Sequence, residues 1–132
     1  MVIFPEHIKG GIIMKEILFI ETGTGIDVHG QDVNVAACRA VKNAIHYNSL
    51  PGMRKILPNG DLEKMKVNVK LAIPKDLDQL DEKKIKELIP YGTVTVEVMK
   101  GGMATSSGIY LEEQDDKNDL MYIVNTAIEV GY

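Results

Sequence analysis

Between Val33 and Ile45 the apolar residues recur at helical spacing: Val33, Ala36, Ala37, Ala40, Val41, Ala44 and Ile45. This i, i+3, i+4 stripe describes an amphipathic helix that has to bury one face. Its alanines allow a very close approach to whatever lies beneath. The helix is expected from about Asp32 to Tyr47, with Gln31 or Asp32 as its cap and Asp32 at the positive end of its dipole. Before it comes a continuous apolar run, Ile17-Leu18-Phe19-Ile20, read as the core of a strand over Lys15–Glu21. After it, Met65, Val67, Val69, Leu71 and Ile73 alternate with Lys66, Asn68 and Lys70, which is the period of a strand with one apolar face.

The remaining pattern extends this β-α-β start. A second helix is expected from Asp76 or Asp78 to Leu88, closed by Pro90 and Gly92. Thr93–Lys100 reads as a third strand, Ile109–Leu111 as a short fourth, and Leu120–Val130 as a long last one. Glu112–Asp119 between them is an acidic polar turn. The fold class that follows is α/β: a two-layer β-α-β-α-β-β-β sandwich with both helices on one face of a mixed sheet. The other face, with its threonine, asparagine, lysine and glutamate, either meets water or meets another subunit. A homo-oligomer is expected.

A chain of 132 residues makes one domain with a real core, placed here at 14–132. Residues 1–13 read as an N-terminal extension. Lys9-Gly10-Gly11 lies just ahead of Met14, and codons of the form AAA-GGA-GGN would make it a ribosome-binding sequence. Translation is therefore expected to begin at Met14, and a Glu6-containing peptide in the native protein would refute that. The alternative is a true extension with a strand at Val2-Ile3-Phe4. Net charge is −4 and the only arginines are Arg39 and Arg54, which excludes the basic stripe of a nucleic-acid binder. No apolar run approaches the roughly 20 residues needed to span a bilayer. The lone Cys38 fits a reducing cytoplasm and reads as a packing residue.

The candidate site lies between the first strand and the first helix, where the chain reads Thr22-Gly-Thr-Gly-Ile-Asp-Val-His-Gly30. Gly23, Gly25 and Gly30 permit close backbone approach to a ligand, and a helix N-terminus follows. Asp27 and His29 are candidate catalytic residues, as a base with its orienting partner. If the first and third strands run in the same direction, the glycine loop faces a second loop over Gly101–Gly108 at one rim of the sheet. Ser106 and Ser107 are candidate ligand-binding residues there. Arg54, from the breaker-rich segment 48–63, is a further candidate. Glu21 and Glu97 carry carboxylates on strands, where such groups are usually solvated. Each candidate also has a plainer role: Asp27 as a turn cap, His29 as a backbone hydrogen-bonder, the serines as a turn. Gly-x-Gly without the third glycine is not a dinucleotide fingerprint. Asp-x-His offers two ligands where zinc needs three or four, so no metal site is assigned, and the residues identify no particular cofactor.

The Gly23-x-Gly25-x-Asp27-x-His29-Gly30 motif resembles that of a small family of bacterial proteins of unknown function, named after a Listeria innocua locus, with relatives in plants. The resemblance runs from Met14 to near Tyr132, through Val33–Asn48 and Val67–Pro74. It implies no established activity. The fold it implies is chorismate-mutase-like, the arrangement of YjgF-type proteins and of the C-terminal domain of tubulin and FtsZ. Such domains form rings or trimers with ligands between subunits, which raises the expectation of an oligomer.

Two functions follow. One is a cytoplasmic oligomeric protein that binds, and acts on, a small polar or anionic metabolite at Gly23–Gly30. The other is a non-catalytic assembly or ligand-binding module in which the motif is a structural turn. A divalent-metal protein using Asp27 and His29 is a weaker third.

Overall fold

The computed structural model describes residues 7–9 and 12–132, with side chains from Met14 onward. Its regular elements, in chain order, are β1 (His7–Lys9), β2 (Ile12–Met14), β3 (Ile17–Asp27), α1 (Val33–Ile45), α2 (Met53–Ile56), β4 (Lys66–Ile73), α3 (Glu82–Lys86), β5 (Thr93–Lys100), β6 (Met103–Ser106) and β7 (Leu120–Gly131). Strands β1 and β2 pair with each other as an antiparallel hairpin. Val2-Ile3-Phe4, where a strand was the alternative expectation, lies outside the described residues.

The main sheet has the order β3-β7-β4-β5, with β6 added beside β7 beyond the end of β4. β7 is antiparallel to both β3 and β4, and β4 is parallel to β5. The sheet is therefore mixed, and β3, β4 and β5 all run in one direction. Their C-terminal ends share a rim, with β7 threaded between β3 and β4 rather than the strands being neighbours.

Strand alternation and register assign the two faces. Val67, Val69, Leu71, Ile73, Tyr122, Val124, Ile128 and Val130 point to the helix layer and are buried. Against them α1 buries Val33, Ala36, Ala37, Ala40, Val41 and Ala44, and α3 buries Ile85. The expected second helix is split into a 3-10 turn, Leu77–Gln79, and α3. Asp81 restarts it, its side chain accepting from the Lys83 N–H at 3.1 Å. Asn34 ties this region to α1 by accepting from Asp81 N–H at 2.7 Å and donating to Gln79 O at 3.1 Å.

The opposite face is partly polar. Asn68, fully buried, donates to Glu129 (3.1 Å) and Glu97 (3.2 Å) and accepts from Thr95 (2.9 Å). Glu97 thus belongs to a structural network on this face. Around the network, Ile20, Ile26, Met99 and Met103 project outward and are exposed.

Helix α1 also covers the free edge of β3. Asn43 Oδ1 accepts from Thr24 N–H at 3.0 Å, and Arg39 donates to Ile26 O at 2.7 Å. Two backbone groups that would otherwise invite another strand are occupied.

Candidate functional site

Gly23 and Gly25 do not lie in a loop. The first strand does not stop at Glu21 but continues to Asp27, and both glycines sit within it on the helix-facing side. A Cβ on Gly25 would lie 2.1 Å from Ala36 O and 2.2 Å from Ala40 N; one on Gly23 would lie 2.4 Å from Ala40 O. The alanines of α1 thus press helix backbone directly onto strand backbone. The expectation that Gly23 and Gly25 approach a ligand from a loop is corrected on this ground: on the helix-facing side, the space beside them is filled by α1.

The rim beyond β3 is held by a residue outside the motif. Asp116 has its carboxylate completely buried. Its Oδ1 accepts from Gly30 N–H at 2.6 Å and from Gln31 Nε2 at 3.0 Å. Its Oδ2 accepts from Leu111 N–H at 2.9 Å and is 2.7 Å from His29 Nδ1. Burial alone would push this carboxyl up. The Leu111 and Gly30 amides, the His29 ring and the Gln31 amide outweigh it and hold the group well below the usual carboxylate range.

Gln31 completes the corner. It is buried and left-handed, with φ +49°, a conformation that a non-glycine residue holds only when its surroundings fix it. Its amide donates to Leu120 O at 2.7 Å as well as to Asp116, and its Oε1 accepts from Lys117 N–H at 2.8 Å. Gly30 precedes it at φ +99°, which a side chain would resist.

Asp27 and His29 are not partners of each other. Asp27 is buried at the end of β3, where Oδ2 accepts from Asp32 N–H at 2.8 Å, and Arg39 stands 3.8 Å from Oδ1. Asp32 then caps α1 by accepting from Asn34 N–H at 2.9 Å. The expected dyad becomes two separate fastenings, Asp27 to the helix start and His29 to Asp116.

The serine loop does reach this rim. Ser106, the last residue of β6, donates to Asp119 Oδ2, and Ser107 donates to Asp119 O and Ile109 O, both 2.9 Å. The hydroxyls close a turn between β6 and β7. The short strand is Met103–Ser106 rather than Ile109–Leu111, where Ile109 and Tyr110 are exposed. Arg54 is not brought to the site. It is exposed on α2, after the C-terminal end of α1, whereas the rim meets the N-terminal end.

Beside the corner is a shallow groove of about 350 Å³ lined by Gly30, Gln31, Asp32, Asn34, Gln79, Asp115 and Lys117. Asp27, Asp32, Asp115 and Asp116 surround the start of α1 with negative charge, and the amides of Asp32 and Asn34 there already have carboxylate partners. Among the described residues no group of three His, Cys, Asp or Glu is placed to hold a metal ion. Burial pushes the Cys38 thiol up, as suits a packing residue.

A larger cavity, about 400 Å³, opens at the other end of α1. Its walls are apolar, among them Phe19, Ile45, Met53, Met65, Val67 and Ile128, with Glu21 on its floor.

Residues 17–130 match the family model described as conserved hypothetical protein (Lin0512_fam). The chain belongs to this family. Among solved structures it is similar to an FtsZ-like protein of unknown function from Nostoc punctiforme, at 37% identity and a TM-score of 0.74, over 87% of this chain and 93% of that one. No curated protein matches. The family and this neighbour share the fold with the chain, and neither brings an activity. No helix among the described residues is long and apolar enough to cross a membrane.

Residue-type reasoning missed Asp116. The acidic turn that carries it was visible, but Asp115, Asp116 and Asp119 are indistinguishable as sequence. The one available signal is that a histidine and a glutamine on either side of Gly30 need an acceptor that Asp27, already bonded to the Asp32 amide, does not supply.

Proposed function

We propose that this protein is a non-catalytic binding and assembly module of the cytoplasm, in which the glycine–aspartate–histidine motif is a structural corner. The observation that carries this reading is the buried Asp116 carboxylate, which His29, Gly30, Gln31 and Leu111 share. A catalytic pair needs spare proton-transfer capacity aimed at a substrate. Here Asp27 is committed to Asp32 N–H and the Asp116 carboxylate to four donors, so the motif leaves only His29 Nε2 for proton transfer and no second group to work with it. An anionic metabolite at Gly23–Gly30 is further disfavoured by the carboxylates around the helix start and by the burial of both strand glycines under α1.

Self-assembly is supported by the open sheet face. Ile20, Ile26, Met99 and Met103 expose apolar surface around a polar centre, the composition of a surface that meets a second copy. The test uses Asp27→Asn and His29→Ala in urea unfolding and size-exclusion chromatography. The reading expects a lower unfolding midpoint, and an altered elution volume where the corner shapes the oligomer. Wild-type stability and elution in both variants would contradict it.

A further inference from the structure

Among the described residues, Glu21 alone leaves a buried side-chain oxygen without a hydrogen-bond partner. It is on the helix-facing side of β3, flanked by Phe19 and Gly23 and opposite Ile128 of β7. Its Oε2 is shielded from solvent and has no hydrogen-bond partner among the described residues. A carboxylate oxygen in that position is costly, and proteins seldom tolerate one without a purpose. Burial pushes the Glu21 carboxyl up from its usual range.

The surroundings say what would satisfy it. Gly23 lies under Ala44 in the last turn of α1, so Glu21, two residues earlier, emerges just past the helix end. That end carries the negative pole of the helix dipole, which adds to the demand for positive charge. None of the residues lining the cavity is lysine, arginine or histidine. The sheet floor and the turns after α1 and α3 provide Phe19, Met53, Leu62, Met65, Ile89 and Val130 as apolar wall. At about 400 Å³ the space falls in the ordinary range for small-molecule sites, and Leu50 and Tyr91, both exposed, stand at its border. A mostly apolar cavity with one unmatched acceptor is the complement of an apolar body bearing one cation.

We propose that this cavity is a binding site for a small amphiphilic amine, with the apolar part against the sheet and the protonated nitrogen on the Glu21 carboxylate, which lines it. The site is separate from the corner, at the opposite end of α1, and does not depend on how the rim is read.

The experiment is isothermal titration of the full chain with three probes of one skeleton: 4-phenylbutylamine, 4-phenylbutan-1-ol and 4-phenylbutyrate. The amine is expected to bind, the alcohol to bind at least about tenfold more weakly, and the carboxylate not to bind. In Glu21→Gln, nearly isosteric, the advantage of the amine over the alcohol should vanish. The methyl resonances of Met53 and Met65 should shift on adding amine to the wild type. Without any ligand, Glu21→Gln should melt higher than the wild type at pH 7, because the unmatched charge is gone. Equal binding of amine and alcohol, equal amine affinity in Glu21→Gln, or no amine binding up to millimolar concentration would each overturn the proposal. So would amine binding that leaves the Met53 and Met65 signals unmoved.

Discussion

Replacing Gly25 by alanine adds one methyl group and, on this structure, should cost more than most single substitutions. The new Cβ would meet Ala36 O at 2.1 Å and Ala40 N at 2.2 Å, while ordinary contact begins near 3.4 Å. Both obstacles are helix backbone, which cannot rotate away as a side chain would. Helix α1 would have to retreat by about 1 Å or more from a strand against which Ala36, Ala40 and Ala44 are buried. Overpacking a core costs about 1–3 kcal/mol, and a clash of backbone with Cβ belongs at the upper end, about 3 kcal/mol or more. Unfolding entropies of about 2.1 cal/mol/K per residue, over this chain's 132 residues, translate that into a melting point lower by about 11 °C. Thermal melts followed by circular dichroism, with urea midpoints beside them, measure it. Gly52→Ala is the control: nothing lies within 4 Å of its Cβ position and its φ is −79°, so its stability should stay within about 0.5 kcal/mol. A Gly25→Ala protein that melts within about 2 °C of the wild type would refute the claim that the glycine is there for the helix.

Two further expectations rest on titrating groups. The Asp116 carboxyl is held below its unfolded value, so the stability it contributes is present above about pH 4 and lost as the pH falls below that toward the folded value; acid unfolding of Asp116→Asn should accordingly be less steep there than that of the wild type. Burial first, and then the Asp76 carboxylate that accepts its proton at 2.8 Å, push the Tyr122 phenol up to about 12; a spectrophotometric titration should show one tyrosine ionising near that pH and losing its late step in Tyr122→Phe, and a normal titration for all tyrosines would contradict the contact.

Much of the fold was legible because hydrophobic period survives into the structure. The third strand occupies Thr93–Lys100 as expected, and the alanine stripe is the buried face of α1. The second strand begins at Lys66, one residue later than its first alternating member. What misled was local propensity set against tertiary need. Gly-Thr-Gly reads as a loop because glycine weakens a strand, yet here the missing side chains are what admits the helix. The second helix reads as continuous from its apolar spacing, but Asp81 prefers to cap a new turn than to continue the old one.

The candidate site was located better than it was understood. The convergence of the Asp27–Gly30 corner with the segment after β6 follows from strand direction, and strand direction follows from crossover rules. Which carboxylate His29 finds does not follow, because that is decided by the path of residues 107–119, a stretch with no period. Glu21 was visible as a strand glutamate, but its shielding depends on α1 ending at Ile45 and on the turns that roof the sheet beyond it. No feature within the sequence of β3 reports either.

Asp116 fastens the motif, and a double-mutant cycle between His29→Ala and Asp116→Asn tests this most directly. Each single variant should lower the urea unfolding midpoint, and the double variant should lose clearly less than the two single losses combined, because both remove one shared interaction. Strictly additive losses, or single variants as stable as the wild type, would contradict the structural corner and return Asp27 and His29 to the search for a substrate.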